Sequence, residues 1–127
     1  MIILDTHVWY WWTIDSAKLS RRARASIEAA DAIGVSITSC MEFARLVQRG
    51  RVQLNVHPVL WMREALSQPK CLLLDVTIEL AHDAAVLDWP RGDPSDRMIV
   101  ATAIAHDAPV VSKDDRIRLF RPARAIW

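Results

Sequence analysis

Only two of the 127 residues are cysteine. Cys40 and Cys71 form no CxxC pair, and neither has a histidine at metal-site spacing. A disulfide framework and a thiolate zinc site are thereby excluded. Two isolated thiols in apolar company read as buried and free in a reducing compartment. No apolar run approaches membrane-spanning length. The opening "MIILD" is too short an apolar stretch before an acid to act as a secretory leader, so a cytoplasmic location is expected. Linkers, repeats and low-complexity tracts are missing too. Bulk charge is nearly absent: a formal net charge of +1 does not by itself announce a nucleic-acid partner.

What is present is an ordinary globular balance, 52% hydrophobic and 24% charged, in a chain sized for a single domain over residues 1–127. Thirteen of the sixteen basic residues are arginine, clustered at Arg21, Arg22 and Arg24, at Arg45, Arg49 and Arg51, and at Arg116, Arg118, Arg121 and Arg124. Guanidinium forks suit phosphate better than ammonium groups do, although solvated helix faces with intrahelical pairs would use the same residues.

Short apolar runs alternate with helix-length amphipathic segments, the mark of an α/β domain with a mainly parallel sheet. Strands are expected at 2–4 ("IIL"), 33–37 ("IGVSI"), 71–76 ("CLLLDV") and 109–112 ("PVVS"). Residues 8–13 read as a helix or wide turn, and Ser20 as the cap of "RRARASIEAAD". Ser39 would open a helix with Glu42 three residues on, as in a capping box, and Gly50 as its stop. Helices are also expected at 58–68, at 77–88 and from Pro94 to about His106. From Asp114 the tail reads as a short helix followed by a loop or edge strand.

Acids fall where such a sheet presents its ligands, outside the carboxyl ends of the strands. Asp5 ends the first strand, and Asp114 and Asp115 follow the last. In "GDPSDRMIVATA", Asp96 shares a helical stripe with Ile99, Val100 and Ala103, which places a carboxylate on the buried face. There it is costly unless paired or bound to metal. Asp93, one step before Pro94, is the natural N-cap. Glu42 shares a helix face with Arg45 and Arg49, so a capping box plus an ion pair accounts for it as well as a catalytic role does. Carboxylates without His or Cys partners favour a hard cation, Mg²⁺ or Mn²⁺, over Zn²⁺. Metal-assisted phosphodiester cleavage requires such a site.

Together "ILDTHVWYWW", "SITSCMEFARL" and "GDPSDRMIVATAIAHDAPVVSKDDRI" resemble the PIN-domain ribonucleases, and among them the VapC-type toxins of toxin–antitoxin pairs. The resemblance spans nearly the whole chain. It implies a PIN-like three-layer domain with a central sheet of four to five strands and helices on both faces. It implies that Asp5, Asp96 and Asp114 are metal ligands and that Glu42 completes the catalytic set. Ser112 stands where a threonine is commoner, and Asp115 adds a second acid, so the register of the fourth position stays open between Asp114 and Asp115. The implied activity is an RNA endonuclease leaving 5′-phosphate and 3′-hydroxyl ends. A homodimer and a small antitoxin that blocks the site are implied as well. "LDTHVWYWW" resembles the subgroup paired with Phd-type antitoxins.

Trp9, Trp11 and Trp12 crowd behind Asp5. Trp9 and Trp12 are one helical turn apart while Trp11 faces elsewhere, so at least one belongs to the core; the group suits a partner-protein groove, and stacking on bases is the alternative. Thr6, His7 and Ser112 are candidates for orienting the substrate, His7 alternatively for orienting Asp5. A haloacid-dehalogenase-like phosphatase would need an aspartate at position 7, which is histidine. A response-regulator receiver would need acidic neighbours that Asp5 lacks. The remaining rival is a catalytically inactive PIN-fold module that binds RNA or protein.

Overall fold

Four parallel strands in the order β3-β2-β1-β4 make the central sheet of the computed structural model, which describes residues 1–90 and 92–127. They are β1 (Ile2–Leu4), β2 (Ile33–Ser36), β3 (Cys71–Leu74) and β4 (Val110–Val111). The first strand lies in the middle, pairing β2 on one side and β4 on the other. Beyond β4, Ile126 forms a parallel bridge with Val111, so the tail supplies the edge segment its sequence suggested.

Strand alternation builds two cores. Ile2, Leu4, Ile33, Val35 and Val111 face one helical layer. That layer contains α1 (Thr6–Thr13), α2 (Arg21–Ala29), α3 (Ile37–Gln48) and α4 (Pro58–Leu66). Ile3 and Val110 face the other side, where α6 (Pro94–Ala105) lies across β1, β2 and β4 with α5 (Ile78–Val86) outside it. A short α7 (Asp115–Leu119) and a 3-10 turn (Arg121–Ala123) close that layer. The result is the three-layer α/β architecture expected. No helix among the described residues is long and apolar enough to cross a membrane.

Several boundaries differ from the sequence reading. β2 stops at Ser36, whose side chain caps α3 by accepting from the Thr38 amide. Ser39 is therefore inside the helix and fully buried, and the expected capping box with Glu42 does not form. The stop is as expected: Gly50 has φ +70°, and the amides of Gly50 and Arg51 return to the carbonyls of Val47 and Leu46, a Schellman closure. β3 is an edge strand with Leu72 and Leu73 exposed. Cys40 and Cys71 are free but only half-buried.

Candidate active site

Strand ends deliver the acids. Asp5 leaves β1 at the position that caps α1, yet its side chain makes no capping bond. It accepts instead from Ser112 Oγ at 2.6 Å. The same Ser112 oxygen accepts the Asp114 amide at 3.0 Å, so one hydroxyl fastens the ends of β1 and β4 together. One residue past Asp5, Thr6 begins α1 and donates from Oγ1 to Glu42 Oε2 at 2.6 Å. Thr6 and Ser112 are both fully buried. They position carboxylates, and neither can reach a substrate as expected from sequence. His7 is exposed beside them, but it is Ser112 rather than His7 that holds Asp5.

Asp93 and Asp96 enter from α6. Asp93 is the N-cap, its Oδ1 accepting the Asp96 amide at 2.9 Å. Asp96 is 6% exposed, on the stripe of Ile99, Val100 and Ala103. Its Oδ2 is buried without a hydrogen-bond partner among the described residues, although Arg116 Nη2 lies 3.1 Å away. Asp114 caps α7 through the Arg116 amide, and its carboxylate takes the Arg116 guanidinium at 2.6 Å. Asp115 turns outward to Arg118, which leaves Asp114 as the acid facing the cleft.

Asp5, Glu42, Asp93, Asp96 and Asp114 line one open cleft of about 480 Å³. His7, Trp11, Lys113 and Arg116 form the rest of its wall. All four acids singled out from the sequence therefore meet in one place. The electrostatics follow from crowding. Burial, and then the neighbouring Asp93, push the Asp96 carboxyl up to about 7. Burial also raises Asp5, against the opposing Ser112 bond, and raises Glu42 against the Thr6 bond. Asp114 goes the other way because Arg116 bonds to it directly.

A divalent cation suits this donor set on two counts: the oxygens are all carboxylate, and Asp96 Oδ2 is buried with no hydrogen-bond donor among the described residues, offset only by the Arg116 charge. Among the described residues no three acids or imidazoles yet close around one point. Arg116 stands between Asp96 and Asp114, supplying the positive charge there.

Two residues that the sequence reading passed over line the cleft. Arg116 was legible only as part of an arginine cluster, and Lys113 was not singled out. Away from the cleft, Arg97 ties α6 to the end of α5 and the chain after it, donating to the carbonyls of Ala84, Ala85, Leu87 and Trp89. The tryptophans separate. Trp9 is fully buried against Phe43 and Trp61, so the expected partner surface does not include it. Trp12 packs partly against the same core, and Trp11 alone turns to the cleft.

Parallel strands ending in a carboxylate cleft, with α6 feeding one acid from its buried face, are the features of the PIN domain. Residues 2–121 match that family, and the chain belongs to it. Over 125 residues it is 34% identical to Ribonuclease VapC22 of Mycobacterium tuberculosis, covering 98% of this chain and 95% of that protein. The fold is similar to that of VapBC2 from Rickettsia felis, solved bound to a DNA fragment from their promoter. There the TM-score is 0.70 at 15% identity, over 98% of this chain and 97% of the other. A toxin–antitoxin complex from Klebsiella pneumoniae gives a TM-score of 0.64 at 19% identity, covering 90% and 87% of the two chains.

Proposed function

We propose that this chain is the toxin of a toxin–antitoxin pair and acts as a divalent-metal-dependent endoribonuclease. The observation that carries the reading is Asp96, a buried carboxylate in a cleft of other carboxylates, with one oxygen that no hydrogen-bond donor meets among the described residues. The identity with a ribonuclease across nearly the full chain supports the same activity. Asp5, Asp96 and Asp114 would hold Mg²⁺ or Mn²⁺. Such an ion acidifies a bound water and stabilises charge on the leaving oxygen. Thr6 ties down one oxygen of Glu42 and leaves the other for a water or a cation. Ser112 keeps Asp5 aimed at the cleft and donates to the ionised form. Asp93 holds the first turn of α6, and with it Asp96, in register. Cleavage would leave 5′-phosphate and 3′-hydroxyl ends.

A small antitoxin, of the Phd type on the resemblance of "LDTHVWYWW", would silence the protein, a homodimer, in the cytoplasm. Single-stranded RNA incubated with the purified protein tests the core of the reading. Cleavage should require Mg²⁺ or Mn²⁺, stop in excess chelator, and disappear in Asp96→Asn. Undiminished cleavage in chelator would remove the metal from the mechanism. A folded, metal-binding protein that cuts no RNA would favour the inactive binding module.

A further inference from the structure

Trp11 is half-exposed on the wall between two hollows. With His7 it lines both the carboxylate cleft and a smaller recess of about 190 Å³, whose far side carries Lys18 and Arg51. Two of the chain's three lysines converge on its indole: Lys18 Nζ and Lys113 Nζ each lie 5.9 Å from the ring centroid. Both are exposed, and among the described residues neither is ion-paired with a carboxylate. The third, Lys70, is tied to the Ala30 carbonyl. His7 and Trp127 meet the indole at 50° and 55° with centroids 5.8 and 6.0 Å away. They brace the ring without lying flat upon it.

Lys113 lines the cleft and Lys18 the recess, so the two ammonium groups flank the indole from its two sides, each a place for a phosphate beside the ring. The neighbouring cleft is strongly acidic and repels phosphate, so a polyanion can approach it only along a cationic border. Lys113 and Arg116 supply cationic border on the cleft, and Lys113 also lies over the indole. We infer that Trp11, with Lys18 and Lys113, is the subsite for the nucleotide flanking the scissile phosphate of a single-stranded RNA. The base stacks on the indole, and the phosphates on its two sides meet Lys18 and Lys113. A base stacked between its neighbours inside a duplex has no free face to offer, so this subsite selects against duplex. The inference rests on the ribonuclease reading and names how that site takes its substrate.

Steady-state cleavage of a short fluorescein-labelled single-stranded RNA tests it, using wild type, Trp11→Ala, Trp11→Phe and Lys18→Ala. One stacked base is worth roughly 5- to 150-fold in affinity. Trp11→Ala should therefore raise KM about tenfold while kcat changes less, and Trp11→Phe should recover most of it. Lys18→Ala should flatten the dependence of log KM on log salt by about 0.7, one phosphate's worth. In wild type, removing the base at one position beside the cut should raise KM by a similar factor, and in Trp11→Ala the same lesion should add nothing. Unchanged KM in Trp11→Ala, or fully additive effects of variant and lesion, would overturn the subsite. So would intact RNA kinetics with lost binding of a small antitoxin, which would assign the face to a protein. If wild type cuts no RNA, the ribonuclease reading fails. Fluorescence anisotropy of the same oligonucleotide then decides the subsite alone: weaker binding to Trp11→Ala than to wild type sustains it, and equal binding removes it. Should Trp11→Ala not fold, Trp11→Phe and Lys18→Ala carry the same comparisons.

Discussion

Arg116 reaches from α7 to Asp96 on α6, with Nη2 3.1 Å from Asp96 Oδ2. The same nitrogen is 2.6 Å from Asp114 Oδ2. A guanidinium thus sits where a cation shared by those two acids would have its charge. Arg116→Ala should lower the melting temperature of the metal-free protein, because Asp96 and Asp114 lose the guanidinium paired with both of them. It should also enlarge the rise in melting temperature that Mn²⁺ produces, since the ion no longer competes with a built-in cation. Thermal unfolding with and without Mn²⁺ checks both. A metal-induced rise no larger than in wild type would show that Arg116 does not oppose the ion.

The pH dependence of the metal-free protein has a defined sign. Asp96 titrates near 7 when folded, against an ordinary value of 3.8, because burial and Asp93 disfavour its charge. A raised acid binds its proton more tightly in the native state, so its contribution is greatest at low pH and fades as pH rises from about 4 to about 7. Asp5 and Glu42 shift in the same direction. Asp114 is lowered by Arg116, so its stabilisation is present above about 4 and lost below that. Stability without metal should therefore peak in mild acid and decline toward neutrality. Urea denaturation across pH measures this. The decline should shrink in Asp96→Asn and under saturating Mg²⁺.

Asp96 was legible because helical period alone places it with Ile99 and Val100, and burial of an acid has few explanations. Asp93 was legible from Pro94 for a similarly local reason. The reading of Ser39 as a cap failed because Ser36 offers the same hydroxyl one turn earlier, and where β2 gives way to α3 depends on pairing with β1 and β3. The pairing of Arg116 with Asp96 could not be read. It is set by how α7 docks, which no local spacing encodes. Trp11 fell between: its period separates it from Trp9 and Trp12, but of the two lysines that flank it Lys113 comes from a distant segment.

Ser112 is expected to act through Asp5. Ser112→Ala removes the donor 2.6 Å from a buried carboxylate oxygen and also the acceptor of the Asp114 amide. Loss of such buried bonds costs about 1–3 kcal/mol, and the Asp5 carboxyl should move further upward because its charged form loses a hydrogen bond. Mn²⁺ affinity by calorimetry should then fall, most at mildly acidic pH. Ser112→Thr keeps the hydroxyl and should restore affinity. A Thr variant as weak as the Ala variant would mean that the cavity, not the bond, rejects the change.

Asp93 and Asp96 stand at one helix start and should fail in opposite ways. Asp93 Oδ1 caps the Asp96 amide, so Asp93→Ala should cost about 1 kcal/mol of stability, the usual loss of a cap. It also removes a negative neighbour that raises Asp96, which lowers the Asp96 carboxyl and keeps it ionised for a cation. Most of the cleavage should survive. Asp96→Asn preserves shape but removes a charge that is buried among like charges. It should abolish cleavage while leaving the metal-free fold as stable as wild type or more so, because repulsion and desolvation are both relieved. Kinetics and melting curves on the two variants, measured side by side, decide the assignment. A well-folded but inactive Asp93→Ala beside an Asp96→Asn that still cuts RNA would exchange the two roles.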